Sequence, residues 1–434
     1  MKKAMQENVS ADFALFNVGQ LVTVAPGCHA AAEGDLGIIR QAGLAAADGK
    51  IVWVGPMDEM ERDIFLAPDA TVVNTHGGTV LPGFVDPHTH PVFAGNRSGD
   101  FYARALGQSY QQQLATGGIR TTVAATRAAS EEQLLELAFE RLGTFLEYGT
   151  TTIGAKSGYG LTLSDELKSL TVINQLQRLH PLKSVPAFLA GHVVPPEYAG
   201  RSAEYAHVVA TEWLPAARDR ASIVDVWFDD GAFTADEGRE MLSAARSMGF
   251  GLTAHAAELG PHEGVRIAAE LGALSIDHAV YLGDDDIDAL RRNGTVAVLL
   301  PATTLFLASD HYAPARKLIE AGVPVALGTD FNPGTSMTQN MQLVLTLAVL
   351  KLKMTPEEVI QGATVHAARA LGMDSLVGTL QIGAFCDAAV YSVDDYREIP
   401  YRLGMNLVET VVAGGQVVVR NGRFISPGSL ASLT

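Results

Sequence analysis

Two histidines, His88 and His90, end the apolar run Leu81-Pro82-Gly83-Phe84-Val85-Asp86-Pro87-His88-Thr89-His90. Side chains alternate across a strand, so both imidazoles face one way and can grip one ion. Neutral imidazoles suit Zn(II) or Fe(II), and a catalytic site of this kind keeps a coordination position open for water. A His-x-His pair is a short signal, so other donors must come from elsewhere. His255 supplies a third nitrogen and Asp330 a carboxylate oxygen. An ion so held lowers the pKa of its water and polarises a carbonyl. Attack by hydroxide on a carbonyl also requires a proton shuttle. Glu258, in His255-Ala256-Ala257-Glu258, is close enough in sequence to serve. His278, in Asp277-His278, is a candidate for polarising the carbonyl or steering the hydroxide. Glu258, His278 and Asp330 form the candidate catalytic set, with the roles of Glu258 and His278 left open.

These residues are far apart in the chain, so the fold must gather them. Strand-like runs at 81–86, 150–155, 184–191, 223–229, 251–254, 274–277, 295–300 and 323–329 alternate with helical stretches. Ser130-Glu131-Glu132-Gln133, Thr234-Ala235-Asp236-Glu237 and Thr355-Pro356-Glu357-Glu358 read as capping boxes, the last with proline at its first helical position. Gly249 and Gly372 are stop signals. This alternation predicts an α/β fold, a (β/α)8 TIM-type barrel. No G-x-G-x-x-G follows an early strand, which weighs against a doubly wound open sheet. Barrel chemistry sits at the C-terminal ends of strands. His88 and His90 follow the first strand, His192 the third, His255 and Glu258 the fifth, His278 the sixth and Asp330 the eighth. The flanks differ in character: short β-rich runs with Asp48-Gly49 and Asn421-Gly422 between them, both strong hairpin signals. They predict a small β-sandwich domain built from both termini. The expected units are therefore 1–80 and 373–434 for that domain, with 81–372 as the barrel.

With 47% hydrophobic and 18% charged residues, the chain can bury a large core. A net charge of −17 without a Lys/Arg cluster argues against a nucleic-acid or anionic-membrane partner. Cys28 and Cys386 are too few for a disulfide framework. No apolar segment follows Lys2 and Lys3, so no signal peptide is read. The apolar stretch Met341–Leu350 is too short to cross a bilayer. A soluble, cytoplasmic protein is expected.

The chain resembles the amidohydrolase superfamily, and within it the imidazolonepropionase branch of histidine degradation, from about residue 70 to the C-terminus. The likeness is carried by Pro82–His90, Val92-Phe93-Ala94-Gly95-Asn96-Arg97, Gly117-Gly118-Ile119, Lys156-Ser157-Gly158-Tyr159-Gly160-Leu161 and His192-Val193-Val194-Pro195-Pro196-Glu197-Tyr198. It continues in Asp277-His278, Pro301-Ala302-Thr303, Thr329-Asp330-Phe331-Asn332-Pro333-Gly334 and Pro400-Tyr401. The resemblance implies hydrolysis of the cyclic amide of 4-imidazolone-5-propanoate to N-formimidoyl-L-glutamate. It implies one Zn or Fe ion on His88, His90, His255 and Asp330. It also implies substrate contacts from Arg97, Tyr110, Tyr159, His192, Glu258, Asn332, Gly334 and Thr335, a small-molecule partner with a carboxylate tail, and a homodimer. The chemistry agrees, since arginine offers two parallel donors to a carboxylate. Two-metal relatives of this architecture carry a bridging lysine on strand four; Ser222–Asp230 has none, which favours one ion. Four positions depart from the family pattern: Thr116, Gly154, Phe228 and Ala257. Because Gly154 and Phe228 lie near strand ends, they bear on substrate choice. The alternative is an amidohydrolase for another ring, a hydantoin-like amide or an aminoazole, and Arg97 with Tyr159 separates the two: only an acid-tailed substrate needs that pair.

Overall fold

The protein is described here by a computed structural model covering residues 9–108, 112, 117–229 and 231–426. Tyr110 and Thr116 lie outside the described residues. The predicted alternation forms eight parallel strands, numbered along the barrel: β1 (Phe84–Thr89), β2 (Thr150–Lys156), β3 (Lys183–Gly191), β4 (Ile223–Phe228), β5 (Gly251–Ala256), β6 (Ser275–His278), β7 (Val296–Leu299) and β8 (Val325–Leu327). Each pairs with the next in chain order. All three capping boxes form, each hydroxyl accepting the N3 amide while the N3 side chain returns to the cap. Gly249 and Gly372 follow helix ends with φ of 85° and 67°, a conformation that favours glycine.

The seam between β8 and β1 matters most for the site. A single bridge joins Thr89 to Phe331, and the His90 amide donates to the Phe331 carbonyl at 2.9 Å. Beneath it the buried Asp86 carboxylate accepts from the Thr329 amide at 3.1 Å and its hydroxyl at 2.5 Å. Burial pushes the Asp86 carboxyl up to about 7 in spite of those bonds. The seam sets the His-x-His end of β1 beside the chain leaving β8, which carries Asp330.

The apolar run expected at 81–86 divides at Gly83. Thr79–Pro82 belongs to the other sheet, and only Phe84 onward enters the barrel. A Cβ at Gly83 would lie 2.2 Å from the Thr151 hydroxyl oxygen, so the crossing point has no room for a side chain. The β-rich flanks join in one mixed nine-stranded sheet. Its two halves meet where Thr79–Pro82 runs antiparallel to Ala388–Tyr391. Both hairpin signals close two-residue turns with positive φ at Asp48, Gly49, Asn421 and Gly422. This sheet has its own core of Phe13, Leu15, Leu21, Ile39, Leu44 and Val390, with the free thiol of Cys386 buried in it. Among the described residues no helix is long and apolar enough to cross a membrane.

Candidate active site

The strand-end histidines converge. His88 Nε2 lies 3.3 Å from His90 Nε2, and Asp330 Oδ1 is 3.4 Å from the first and 3.6 Å from the second. The His88 and His255 rings are 4.3 Å apart between centroids, and His278 is 5.4 Å from each. Two overlapping groups can hold an ion here: His88, His90 and Asp330, and His88, His255 and His278. All five side chains are buried. Burial, reinforced by neighbouring cations, holds His88, His90 and His278 well below the usual imidazole range, so each keeps a lone pair for a metal. Asp330, pushed up to about 6 by burial, takes the Thr303 hydroxyl on its other oxygen at 2.7 Å. His278 and Asp330 have φ of 71° and 51°, an unfavourable backbone for either residue and of a kind that collects at functional sites.

Behind the donors stands a charged layer that the strand-end reading missed. His255 Nδ1 meets Asp225 Oδ1 at 2.7 Å, and His88 Nδ1 meets Asp277 Oδ2 at 2.6 Å. A carboxylate there fixes the tautomer and turns Nε2 towards the centre. Lys156, at the end of β2, donates to Asp225 and, at 3.0 Å, to Asp277. Burial alone would raise Asp225, but His255 and the Lys156 ammonium hold it far below the usual range. Burial would likewise depress Lys156, and the two carboxylates outweigh it. The signal for this layer was present: Asp225 is a lone charge between valines, two residues from Trp227 and thus on the same inward face.

Above the donors a cavity is lined by His90, Arg97, Tyr159, His192, Trp227 and Glu258, with Ile119, His255, His278, Asp330, Asn332 and Thr335 completing it. Of the residues expected to meet substrate, Arg97, Tyr159, His192, Glu258, Asn332 and Thr335 are all here. Gly334 is not a wall; its missing Cβ would sit 2.1 Å from Arg97 Nη1, so it makes room for the guanidinium. Asn332 Oδ1 accepts the amides of Gly334 and Thr335, both at 2.8 Å, and so shapes the turn. The Glu258 amide rests on Asp229 at 2.8 Å, and its carboxylate lies 3.7 Å from His278 Nε2. Burial, then Asp330 and Asp229, push the Glu258 carboxyl well above the usual range. His192 Nδ1 donates to the Gly158 carbonyl at 2.9 Å, leaving Nε2 as its acceptor. Neither Gly154 nor Phe228 lines the cavity. A Cβ on Gly154 would strike the Pro87 carbonyl at 2.3 Å, and the Phe228 ring packs against Gly238 and Gly264. Ala257 is buried with φ of 55°, turning the chain to present Glu258.

An eight-stranded barrel with this donor set at its strand ends defines a metal-dependent hydrolase. Residues 79–418 match the amidohydrolase family. The chain is 43% identical over 417 residues to the imidazolonepropionase of Symbiobacterium thermophilum, spanning 95% of this chain and 98% of the relative. It is 44% identical over 393 residues to that of Geobacillus kaustophilus, spanning 90% and 92%. In fold it is similar to an adenosine deaminase from Xanthomonas campestris (TM-score 0.73, 18% identity, 98% and 97% covered) and to a triazine hydrolase variant (0.67, 16%, 97% of each). The chain belongs to the amidohydrolase family and, within it, to the imidazolonepropionases.

Proposed function

We propose that this enzyme opens the cyclic amide of 4-imidazolone-5-propanoate, giving N-formimidoyl-L-glutamate in histidine degradation. The observation that carries the reading is Arg97 in the cavity wall. It is buried, its Nε donates to Asp100 at 2.8 Å, and among the described residues its Nη2 has no partner. A buried guanidinium donor left over at a cavity suits a carboxylate tail; a neutral azole has nothing to place there. Tyr159 and His192 stand beside His90 on the same wall, at 5.7 and 5.4 Å between ring centroids, and complete the tail's surroundings.

His88, His90, His255 and Asp330 would hold one Zn or Fe ion. The fit rests on their converging Nε2 and Oδ1 atoms and on the two carboxylates that turn His88 and His255 inward. Such an ion supplies an acidified water and a polarised carbonyl. Lys156 supports a single ion, because its ammonium already occupies the space between Asp225 and Asp277. Glu258 is placed to carry a proton: largely enclosed, raised in pKa and facing the cavity, its carboxylate form can accept one from the attacking water and return it to the departing ring nitrogen. His278, neutral and 3.7 Å away, orients Glu258 or the carbonyl. A cytoplasmic homodimer remains part of this proposal.

The deciding assay is the loss of ultraviolet absorbance of freshly prepared 4-imidazolone-5-propanoate, with metal content measured on the same sample. Rapid loss with about one metal per chain is expected. No turnover by metal-replete enzyme would move the substrate to another ring.

A further inference from the structure

Tyr159 reaches the cavity on the loop 157–161, and that loop is gripped by a residue outside the cavity. Glu166, in the helix Leu163–Leu179, has a wholly buried side chain. One of its carboxylate oxygens accepts the amides of Gly160 and Leu161, both at 2.8 Å, and the other accepts the Gly158 amide at 3.0 Å. Arg127 takes the carbonyl side of the same loop, Nε donating to Gly160 at 2.6 Å and Nη2 to Leu161 at 3.1 Å. The loop needs this clamp. Gly158 and Leu161 have φ of 110° and 53°, and the second is unfavourable for leucine. The grip extends further, since the Gly158 carbonyl is the acceptor for His192 Nδ1. A Cβ on Gly158 would come within 2.9 Å of that nitrogen. Burying a carboxylate is unfavourable unless its oxygens are bonded, and here the bonds all go to one functional loop.

We propose that Glu166 is a positioning residue for substrate recognition: it sets Tyr159 through the amides on either side of it and His192 through the Gly158 carbonyl. This rests on reading Tyr159 and His192 as substrate contacts. The consequence is a binding effect, because neither residue acts on the scissile bond.

Glu166→Gln keeps the shape but leaves at least one loop amide without an acceptor. It should raise KM for 4-imidazolone-5-propanoate about tenfold, with kcat within about threefold of wild type and metal content unchanged. Combined with Tyr159→Phe, the loss should fall short of the product of the two single losses, as expected when one residue acts through the other. An unchanged KM, or a full product in the double variant, overturns the proposal. If Glu166→Gln fails to fold, Glu166→Asp, which keeps the charge but shortens the reach to the loop amides, tests the same grip: a raised KM with kcat retained supports the proposal, and an unchanged KM overturns it. The site reading is judged separately. Unchanged KM in both Tyr159→Phe and His192→Asn would remove those residues as contacts, whatever Glu166→Gln does.

Discussion

Arg97 shows how one side chain is divided between scaffold and ligand. Asp100 fixes Nε, Gly334 clears the space for Nη1, and Nη2 is left for a guest. Arg97→Met should therefore raise KM for the propionate substrate about tenfold or more while kcat changes little, the pattern of lost uniform binding. Initial rates across substrate concentration check this, and a KM within twofold of wild type would remove the carboxylate reading. Glu258 carries the opposite expectation. Glu258→Gln preserves shape and metal donors but cannot exchange a proton, so kcat should fall about a hundredfold or more with metal content unchanged. Full activity in a metal-replete variant would take the shuttle role from it.

At the scale of elements, the strands act as rulers whose alternation determines what reaches the centre. The donors at strand ends were readable because polar residues closing apolar runs stand out, and a barrel gathers all such ends on one face. Asp225, Asp277 and Lys156 were harder, because a reading that looks for apolar strand cores passes over a charge set within them. Only the closed barrel shows that Asp225 on β4, Asp277 on β6 and Lys156 on β2 point into one interior. The division at Gly83 was hidden for a related reason: both halves of that run are apolar, and which sheet each joins is decided by distant partners, Ala388–Tyr391 for the first half and Thr150–Lys156 for the second. Gly154 and Phe228 border the pocket by strand position alone, yet the Pro87 carbonyl against Gly154 and the Phe228 ring packed on Gly238 and Gly264 remove both from it. The charged layer has its own test. Asp225→Asn should let His255 turn and weaken metal retention about ten- to a hundredfold, read by competition with a coloured chelator. Retention equal to wild type would reduce Asp225 to an ion-pair partner of Lys156.

Across the whole molecule, the barrel and the terminal sheet meet at His180, the residue that ends the helix before β3. Its ring lies against Phe139 of a barrel helix at 4.8 Å and against Phe424 of the last sheet strand at 5.0 Å, between centroids. The Leu182 amide donates to its Nδ1 at 3.1 Å, which requires the unprotonated form of that nitrogen. Burial between the rings lowers its pKa to about 3. The unfolded chain takes up a proton near pH 6.5 and the folded chain does not until near pH 3. The stabilising effect of this neutral histidine is therefore complete above pH 6.5 and declines as pH falls through that window, by up to about 1.4 kcal/mol per pH unit. His180→Asn retains an acceptor for the Leu182 amide and removes the titration. It should be less stable than wild type at pH 7, where ring packing is lost, but its stability should fall less steeply between pH 6.5 and 5, by up to about 2 kcal/mol over that interval. Protonation of the site histidines is common to both proteins, so the difference between their urea midpoints isolates His180. Parallel acid limbs would show that the joint between barrel and sheet does not sense pH through this residue.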